Sequence, residues 1–131
     1  MKYPIREAIE AKEKAYAPYS NFKVGAALLC KDGSVYTGCN IENASYTPTV
    51  CAERVAIFKA ISEGKSNFAS IAVAGGKSGN VGVERCTPCG VCLQTLAEFC
   101  DNEKFVVLLA KDGGYEKYTL KQLLPLSFKL E

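Results

Sequence analysis

The fold of this chain is set by three neighbouring pieces of sequence: FASIAVAG at residues 68–75, GVCLQTLAEFC at 90–100 and FVVLLA at 105–110. The first and third pieces are short and almost wholly apolar or small, which is typical of strands buried on both faces. The middle piece carries its apolar residues at helical spacing. A strand-helix-strand passage of this kind favours a sheet with helices packed on it.

The sequence on either side adds two helices and three strands. An amphipathic helix is predicted over 5–16, with Tyr16 on its apolar face, and a second helix over 51–63. Three more strands are predicted at 22–30, 34–40 and 115–120. The order α-β-β-α-β-α-β-β predicts an α/β fold in a single domain spanning 1–131, a three-layer α/β/α sandwich with a mixed five-stranded sheet.

Composition excludes several classes of protein. The chain has 131 residues, of which 48% are hydrophobic and 23% charged, as in ordinary globular domains and unlike disordered or fibrous proteins. It contains no histidine. A Ser-His-Asp triad, a Cys-His dyad and an imidazole general base are therefore excluded. Chemistry in this chain must use carboxylates, thiols, or a metal held by them.

The distribution of charged and apolar residues limits the kinds of partner that this chain can bind. The net charge is only +2, and the nearest approach to a basic cluster, Lys12, Lys14 and Lys23, is interrupted and expected to be solvated. We therefore expect no nucleic acid polymer as partner. The longest apolar runs, Val24–Cys30 and Phe105–Ala110, fall far short of the ~20 residues that span a bilayer. With no signal-peptide pattern and an odd number of cysteines, a cytoplasmic location is expected.

Four cysteines could meet at one site: Cys51, Cys86, Cys89 and Cys92. The pair at 89 and 92 forms a C-x-x-C, which places both sulfurs on one face of a first helical turn. Cys51 and Glu53 are two residues apart, so they can share a site only where a helix begins. The helix dipole and the free N–H groups there favour thiolate over thiol. Two helix N-termini are therefore expected to converge on one metal.

One interpretation of these residues is a catalytic zinc site. Three thiolates, from Cys51, Cys89 and Cys92, leave the fourth tetrahedral position open for water, whose pKa the metal lowers. Glu53, a carboxylate outside the ligand set, can then transfer protons. Three thiolates and Zn²⁺ leave a net negative charge, and Arg54 is the candidate compensating cation.

A second interpretation adds Cys86, because Cys86-Thr87-Pro88-Cys89 is itself a C-x-x-C. Four cysteine ligands would make a structural zinc site, and the domain would then be a zinc-stabilised binding module. Thiol redox exchange is a third alternative, although no strand-C-x-x-C-helix segment of the thioredoxin kind is present. The spacing of the cysteines leaves all three open.

Two of these motifs, CAER at 51–54 and TPCGVCLQ at 87–94, together resemble the paired signature of the small, zinc-dependent cytidine deaminases. Similarity extends over nearly the whole chain. Further matching segments are YAPYSNFKVGAA at 16–27, GCNIENASY at 38–46 and LLPLSF at 123–128.

The resemblance implies one zinc ion per chain, held by Cys51, Cys89 and Cys92, with Cys86 a bystander. Glu53 would move protons while cytidine and 2′-deoxycytidine are hydrolysed to uridine and 2′-deoxyuridine with release of ammonia, a reaction of pyrimidine salvage. The rival activity within this resemblance is deamination of a cytosine nucleoside antibiotic such as blasticidin S.

The resemblance also implies a nucleoside pocket. Phe22, Asn40 and Glu42 would hold the nucleoside, the last two at the ribose hydroxyls, and the backbone of Ala52 and Cys51 would read the base edge. Asn40 and Glu42 flank a single residue at a strand end, so both can point to one side. Without the resemblance, the favoured interpretation of these two side chains is capping of the loops around them. A carboxylate at the sugar would repel phosphate and favour nucleosides over nucleotides.

The resemblance further implies a homotetramer in which neighbouring chains complete each pocket. Tyr46 and Phe128 match positions that reach across such an interface. Leu93 departs from the family pattern, since many relatives carry arginine at this position. A charge-compensating or interface contact that the arginine would make is therefore in doubt for this chain.

Overall fold

The computed structural model describes residues 2–130, which build a five-stranded sheet and four helices. The helices are α1 (Ile5–Lys12), α2 (Ala52–Ser62), α3 (Gly90–Phe99) and α4 (Leu120–Leu123). The strands are β1 (Phe22–Cys30), β2 (Val35–Cys39), β3 (Phe68–Lys77), β4 (Val106–Lys111) and β5 (Gly114–Thr119). Within this part of the chain, no helix has the length and apolarity needed to cross a bilayer.

The sheet is mixed and carries helices on both faces, which confirms the predicted α/β/α sandwich. Its strand order is β2-β1-β3-β4-β5; β3 and β4 run parallel, and the other neighbouring pairs are antiparallel. α2 and α3 cover one face, where Leu28, Ile57 and Leu96 are buried together. α1 covers the other, where Ala8 packs with Ala72 of β3.

Two glycines determine how closely α1 and α2 approach the sheet. A Cβ on Gly38 in β2 would lie 2.4 Å from the carbonyl oxygen of Ala52, and one on Gly25 in β1 would lie 2.1 Å from that of Ala8. These separations are far inside van der Waals contact, so any larger residue would push the helix away from the sheet. Gly38 therefore fixes the first turn of α2, and Cys51 just before it, against β2.

The first helix is shorter than the predicted 5–16, because α1 ends at Lys12. The Tyr16 N–H donates to the carbonyl of Asn40 at 3.0 Å, and the Tyr16 carbonyl accepts the N–H of Glu42 at 2.9 Å. This pairing with a distant segment replaces the helical hydrogen bonds. The Tyr16 side chain is 56% exposed instead of lying on a buried helix face.

Lys12 is also placed differently from the prediction of a solvated charge. Its side chain is only 1% exposed, and its ammonium donates to the Glu13 carboxylate at 3.1 Å. The cause is the close approach of α1 to the sheet at Gly25, which carries the lysine stem over β3 beside Gly76. Long side chains can bury their methylenes in this way while the charged end keeps a partner.

The fourth helix was not predicted. α4 has four residues, too few for a periodic pattern to be recognised. It is stabilised by a capping box: the Thr119 hydroxyl accepts the Gln122 N–H at 3.2 Å, and the Gln122 side chain accepts the Thr119 N–H at 2.8 Å.

Candidate active site

Three thiols converge at the N-terminal ends of α2 and α3. Cys51 directly precedes α2, Cys89 directly precedes α3, and Cys92 lies in the first turn of α3. The Cys89 sulfur is 3.9 Å from that of Cys51 and 3.6 Å from that of Cys92, and all three sulfurs lie within 4.8 Å of one another. Sulfurs bound to one tetrahedral zinc at 2.3 Å would be about 3.8 Å apart. The spacing of these thiols therefore fits a zinc ion.

Local charge favours the thiolate form of Cys51. Hydrogen bonding with the Cys92 thiol lowers the pKa of Cys51 to about 5, and Arg54 acts in the same direction. The Arg54 Nη2 lies 3.5 Å from the Cys51 sulfur, because a separation of three residues places both on one side of the first turn. Unpaired N–H groups at the start of α2 add to this effect. Arg54 thus stands where thiolates require a compensating cation.

The carboxyl group of Glu53 is buried beside the thiols, in the first turn of α2. The residue is only 4% exposed, and this burial raises the pKa of Glu53 to about 7, with the Cys51 thiolate acting in the same direction. A cation held by the thiols would lower it again. A carboxyl group poised in this way can both accept and release a proton near neutral pH.

The fourth cysteine of the sequence motif, Cys86, has different neighbours. A Cβ on Gly75 of β3 would lie 2.7 Å from the Cβ of Cys86 and 2.9 Å from Cε2 of Phe22, so the cysteine and the ring pack at this glycine. Burial raises the pKa of Cys86 to about 11 and keeps its thiol protonated. The group of close sulfurs found within residues 2–130 does not include that of Cys86. This arrangement favours three thiol ligands over four.

The backbone of Phe22 is fixed on both sides by polar side chains. The Ser20 hydroxyl accepts the Phe22 N–H at 3.1 Å, and the Asn40 Nδ2 donates to the Phe22 carbonyl at 3.0 Å. The Asn40 Oδ1 also accepts the Val24 N–H at 2.8 Å. Phe22 and Asn40, both predicted to hold a nucleoside, therefore lie together at the start of β1. The Phe22 ring and Cys86 both pack at Gly75, and the charges of Glu53 and Cys51 act on the Cys86 thiol.

Glu42 is held by the turn that precedes β1. Its Oε1 accepts the N–H groups of Tyr19 and Ser20 at 3.0 and 3.1 Å, and its Oε2 accepts the Ser20 hydroxyl. The hydroxyl contact is the main reason that the pKa of Glu42 is lowered, so the group is a carboxylate at neutral pH. Glu42 and Tyr46 line an open surface cavity of about 320 Å³.

The other predicted contacts lie at helix ends and on the surface. Ala52 is the first residue of α2, so its backbone N–H precedes the first intrahelical hydrogen bond and is free to donate. Tyr46 and Phe128 are 76% and 65% exposed, and thus lie outside the core of this chain. The segment that carries Phe128 is held by Gln94, whose Nε2 donates to the Phe128 carbonyl at 2.9 Å.

Sequence reasoning missed three residues that shape the site: Ser20, Gly75 and Gln94. Ser20 and Gln94 lie inside recognised motifs, but their partners, Glu42 and Phe128, are 22 and 34 residues away. Local patterns cannot show contacts at such separations. Gly75 ends a predicted strand, and only the packing of two side chains against its Cα gives it a role.

Comparisons with known proteins agree with this geometry. A family model described as the cytidine and deoxycytidylate deaminase zinc-binding region matches residues 1–109. Cytidine deaminase of Halalkalibacterium halodurans is 50% identical over 127 residues, covering 97% of this chain and 92% of the relative. Cytidine deaminase of Sporosarcina psychrophila is 48% identical over 127 residues, covering 97% of this chain and 90% of the relative. A crystal structure of cytidine deaminase from Burkholderia pseudomallei superposes with a TM-score of 0.84 at 46% identity, covering 95% of each chain. The chain therefore belongs to the cytidine and deoxycytidylate deaminase family.

Proposed function

We propose that this protein hydrolyses cytidine and 2′-deoxycytidine to uridine and 2′-deoxyuridine, releasing ammonia, as a step of pyrimidine salvage. The observation that carries the proposal is the meeting of three thiols and one buried carboxyl group at the ends of two helices. Thiolates of Cys51, Cys89 and Cys92 form a donor set for zinc that leaves one tetrahedral position open. The substrate is supported by relatives 46–50% identical to this chain that are named cytidine deaminases.

Proton transfer is assigned to Glu53. Zinc, one ion per chain on the three thiolates, would supply a Lewis acid that activates water near neutral pH. Glu53 sits at the same helix end without belonging to the ligand set. It would accept a proton from the attacking water, protonate the ring at N3, and deliver a proton to the amine that leaves C4. Arg54 would offset part of the net negative charge of the site.

The base would lie between the start of β1 and the start of α2. The Phe22 ring packs beside Cys86 and Gly75 and offers an apolar surface to the pyrimidine. The backbone N–H of Ala52, which no helical carbonyl accepts, would donate to the base edge, and the backbone of Cys51 would contribute alongside it. Because the sulfur of Cys51 is a proposed zinc ligand, these contacts would place C4 of the base close to the metal.

The sugar would be held by the remaining hydrogen-bonding capacity of Asn40 and Glu42. The Asn40 Nδ2 donates one hydrogen bond and the Oδ1 accepts one within the chain, so one N–H of Nδ2 and one lone pair of Oδ1 remain available. A carboxylate offers about four acceptor positions, and Glu42 uses three of them on Tyr19 and Ser20. One position on Oε2 is left for a sugar hydroxyl. Its negative charge would repel a 5′-phosphate nearby, so nucleosides should be preferred to nucleotides.

We further propose that the protein acts as a homotetramer in which Tyr46 and Phe128 complete the pockets of neighbouring chains. Both side chains are largely exposed in the single chain. Apolar side chains are exposed on α2 and α3 as well, at Phe58, Val91 and Phe99. Clustered apolar exposure of this kind is typical of a protein interface.

A cytoplasmic location is proposed because all seven cysteines are free thiols, which suits a reducing compartment.

The proposal is tested by following ultraviolet absorbance of cytidine, 2′-deoxycytidine, CMP and blasticidin S with zinc-loaded protein. Both nucleosides should be consumed. CMP and blasticidin S should be turned over at least about tenfold more slowly, because one unfavourable charge or one lost contact has an effect of about this size. Cys89→Ser should abolish turnover, whereas the matched variant Cys39→Ser, in β2 and outside the thiol group, should retain it. Preference for blasticidin S would identify the rival activity, and no change with any compound would overturn the proposal.

A further inference from the structure

The Ser20 hydroxyl joins two parts of the proposed nucleoside pocket. Its oxygen accepts the backbone N–H of Phe22 at 3.1 Å, and its hydrogen is donated to Oε2 of Glu42. The same serine also donates its backbone N–H to Oε1 of Glu42 at 3.1 Å. One residue therefore contacts both oxygens of a carboxylate 22 positions away and the first residue of β1.

The surrounding bonds leave the serine proton one good acceptor. A hydroxyl that accepts the Phe22 N–H must direct its own hydrogen away from that N–H. The other acceptor nearby, the Phe22 carbonyl, lies 3.4 Å from the Ser20 oxygen and already receives the Asn40 Nδ2 at 3.0 Å. The hydrogen is thus turned to Glu42. A hydrogen bond to a charged oxygen is also the stronger one.

The carboxylate is consequently fixed in rotation. With Oε1 occupied by the N–H groups of Tyr19 and Ser20, the Ser20 hydroxyl determines which side of Oε2 stays open. Without the hydroxyl, Oε2 would have no donor within this network, and the end of the side chain would be free to turn about the two backbone bonds. Glu42 lines the open cavity of about 320 Å³ together with Ser20 and Tyr46, so this rotation decides what the cavity offers a ligand.

We propose that Ser20 is a positioning residue for sugar recognition: its hydroxyl holds Glu42 in the orientation that receives a hydroxyl of the nucleoside sugar. The inference rests on the proposed function, in which Glu42 binds the sugar. Ser20 itself does not contact the reacting atoms. Its effect should therefore fall more heavily on ligands that carry the sugar hydroxyl, whereas loss of its bond to the Phe22 N–H would weaken ligands with and without that hydroxyl alike.

The test measures dissociation constants of 2′-deoxyuridine and 2′,3′-dideoxyuridine by calorimetry on the zinc-loaded enzyme, since these differ by one hydroxyl. In the wild type, 2′-deoxyuridine should bind at least about tenfold more tightly than 2′,3′-dideoxyuridine, because this is the usual effect of one hydrogen bond to a charged group. Ser20→Ala should reduce this ratio by about three- to tenfold; any loss caused by freeing the Phe22 N–H weakens both nucleosides alike and cancels in the ratio. Ser20→Thr, which keeps the hydroxyl, should preserve the ratio.

Matched controls separate positioning from folding. Ser34→Ala removes a similar hydroxyl–carboxylate bond, to Asp32 at 2.6 Å in the distant β1–β2 turn, and should leave the ratio unchanged. If Ser20→Ala does not fold, Ser20→Cys, of similar shape and with a weak donor, should give the same reduction. Equal weakening of both nucleosides, or an unchanged ratio, would overturn the role of Ser20. An unchanged ratio in Glu42→Gln would instead contradict the proposed contact between Glu42 and the sugar.

Discussion

Substituting Gly75 by alanine would perturb the base side of the pocket through a single methyl group. An added Cβ would lie 2.7 Å from the Cβ of Cys86 and 2.9 Å from Cε2 of Phe22. Carbon atoms in favourable contact are about 3.5–4.0 Å apart, so both side chains must move by roughly 1 Å. Overpacking of this kind costs about 1–3 kcal/mol of stability. Because Gly75 does not have a positive φ, the effect is steric and carries no backbone strain.

The displacement of the Phe22 ring should also be measurable in turnover. A misplacement of about 1 Å can lower catalytic efficiency on the order of 100-fold, so we expect Gly75→Ala to reduce kcat/KM for cytidine by roughly 10- to 100-fold. Steady-state kinetics and denaturant unfolding, both on zinc-loaded protein, measure the two effects. Gly114→Ala is the matched control, because nothing lies within 4 Å of a Cβ added there. Wild-type kinetics and stability in Gly75→Ala would refute the packing on which the proposed base site depends.

Three further predictions concern the metal and the neighbouring chains. Cys86→Ser should keep both zinc and turnover, since its thiol lies outside the group of three; zinc loss, measured by metal analysis, would restore the four-cysteine alternative. Arg54→Gln removes the 3.5 Å contact with the Cys51 sulfur and should weaken zinc retention against a chelator about tenfold. The control Arg6→Gln, on the other face of the sheet, should retain zinc as the wild type does. Wild-type zinc retention in Arg54→Gln would show that Arg54 does not compensate the charge of the thiolates. In the proposed homotetramer, mixed assemblies of Tyr46→Ala and Glu53→Gln chains should be more active than either variant alone, whereas simple averaging would contradict shared pockets.

The elements around the metal site could be predicted because their causes are local. Short apolar runs at 68–75 and 105–110, rich in small and β-branched residues, are typical of buried strands, and the structure has β3 and β4 there. The spacing of Cys51 and Glu53 requires a helix N-terminus, and the structure places α2 at that point. A C-x-x-C in a first helical turn likewise brings two sulfurs together with no information from elsewhere in the chain.

Other features depend on contacts between distant segments and were beyond local reasoning. The first helix does not continue to Tyr16 because the backbone of Tyr16 pairs with residues 40 and 42, which no helical pattern reveals. Lys12 is buried because Gly25 admits α1 so closely to the sheet. The sequence around Ser20 predicts only a turn, because Glu42 contacts the Ser20 hydroxyl only after the chain has folded.

The resemblance to cytidine deaminases assigned Asn40 and Glu42 to the sugar, whereas local reasoning favoured loop capping. The structure shows both side chains bonded to backbone N–H groups, Glu42 to the turn before β1 and Asn40 to β1 itself, with hydrogen-bonding capacity left over. Capping and ligand binding are therefore compatible at these positions, since a carboxylate or an amide offers more bonds than the loop uses. Local patterns could indicate the first role but not the remaining capacity.

In the proposed mechanism, a three-thiol zinc site and the Glu53 carboxyl group together deaminate cytidine. The most direct measurement is zinc content and cytidine turnover determined on the same samples of wild type and Glu53→Gln. We expect about one zinc per chain in both proteins, with turnover in the variant reduced at least on the order of 100-fold, the usual contribution of a general acid–base. Near-normal turnover in zinc-loaded Glu53→Gln would contradict it.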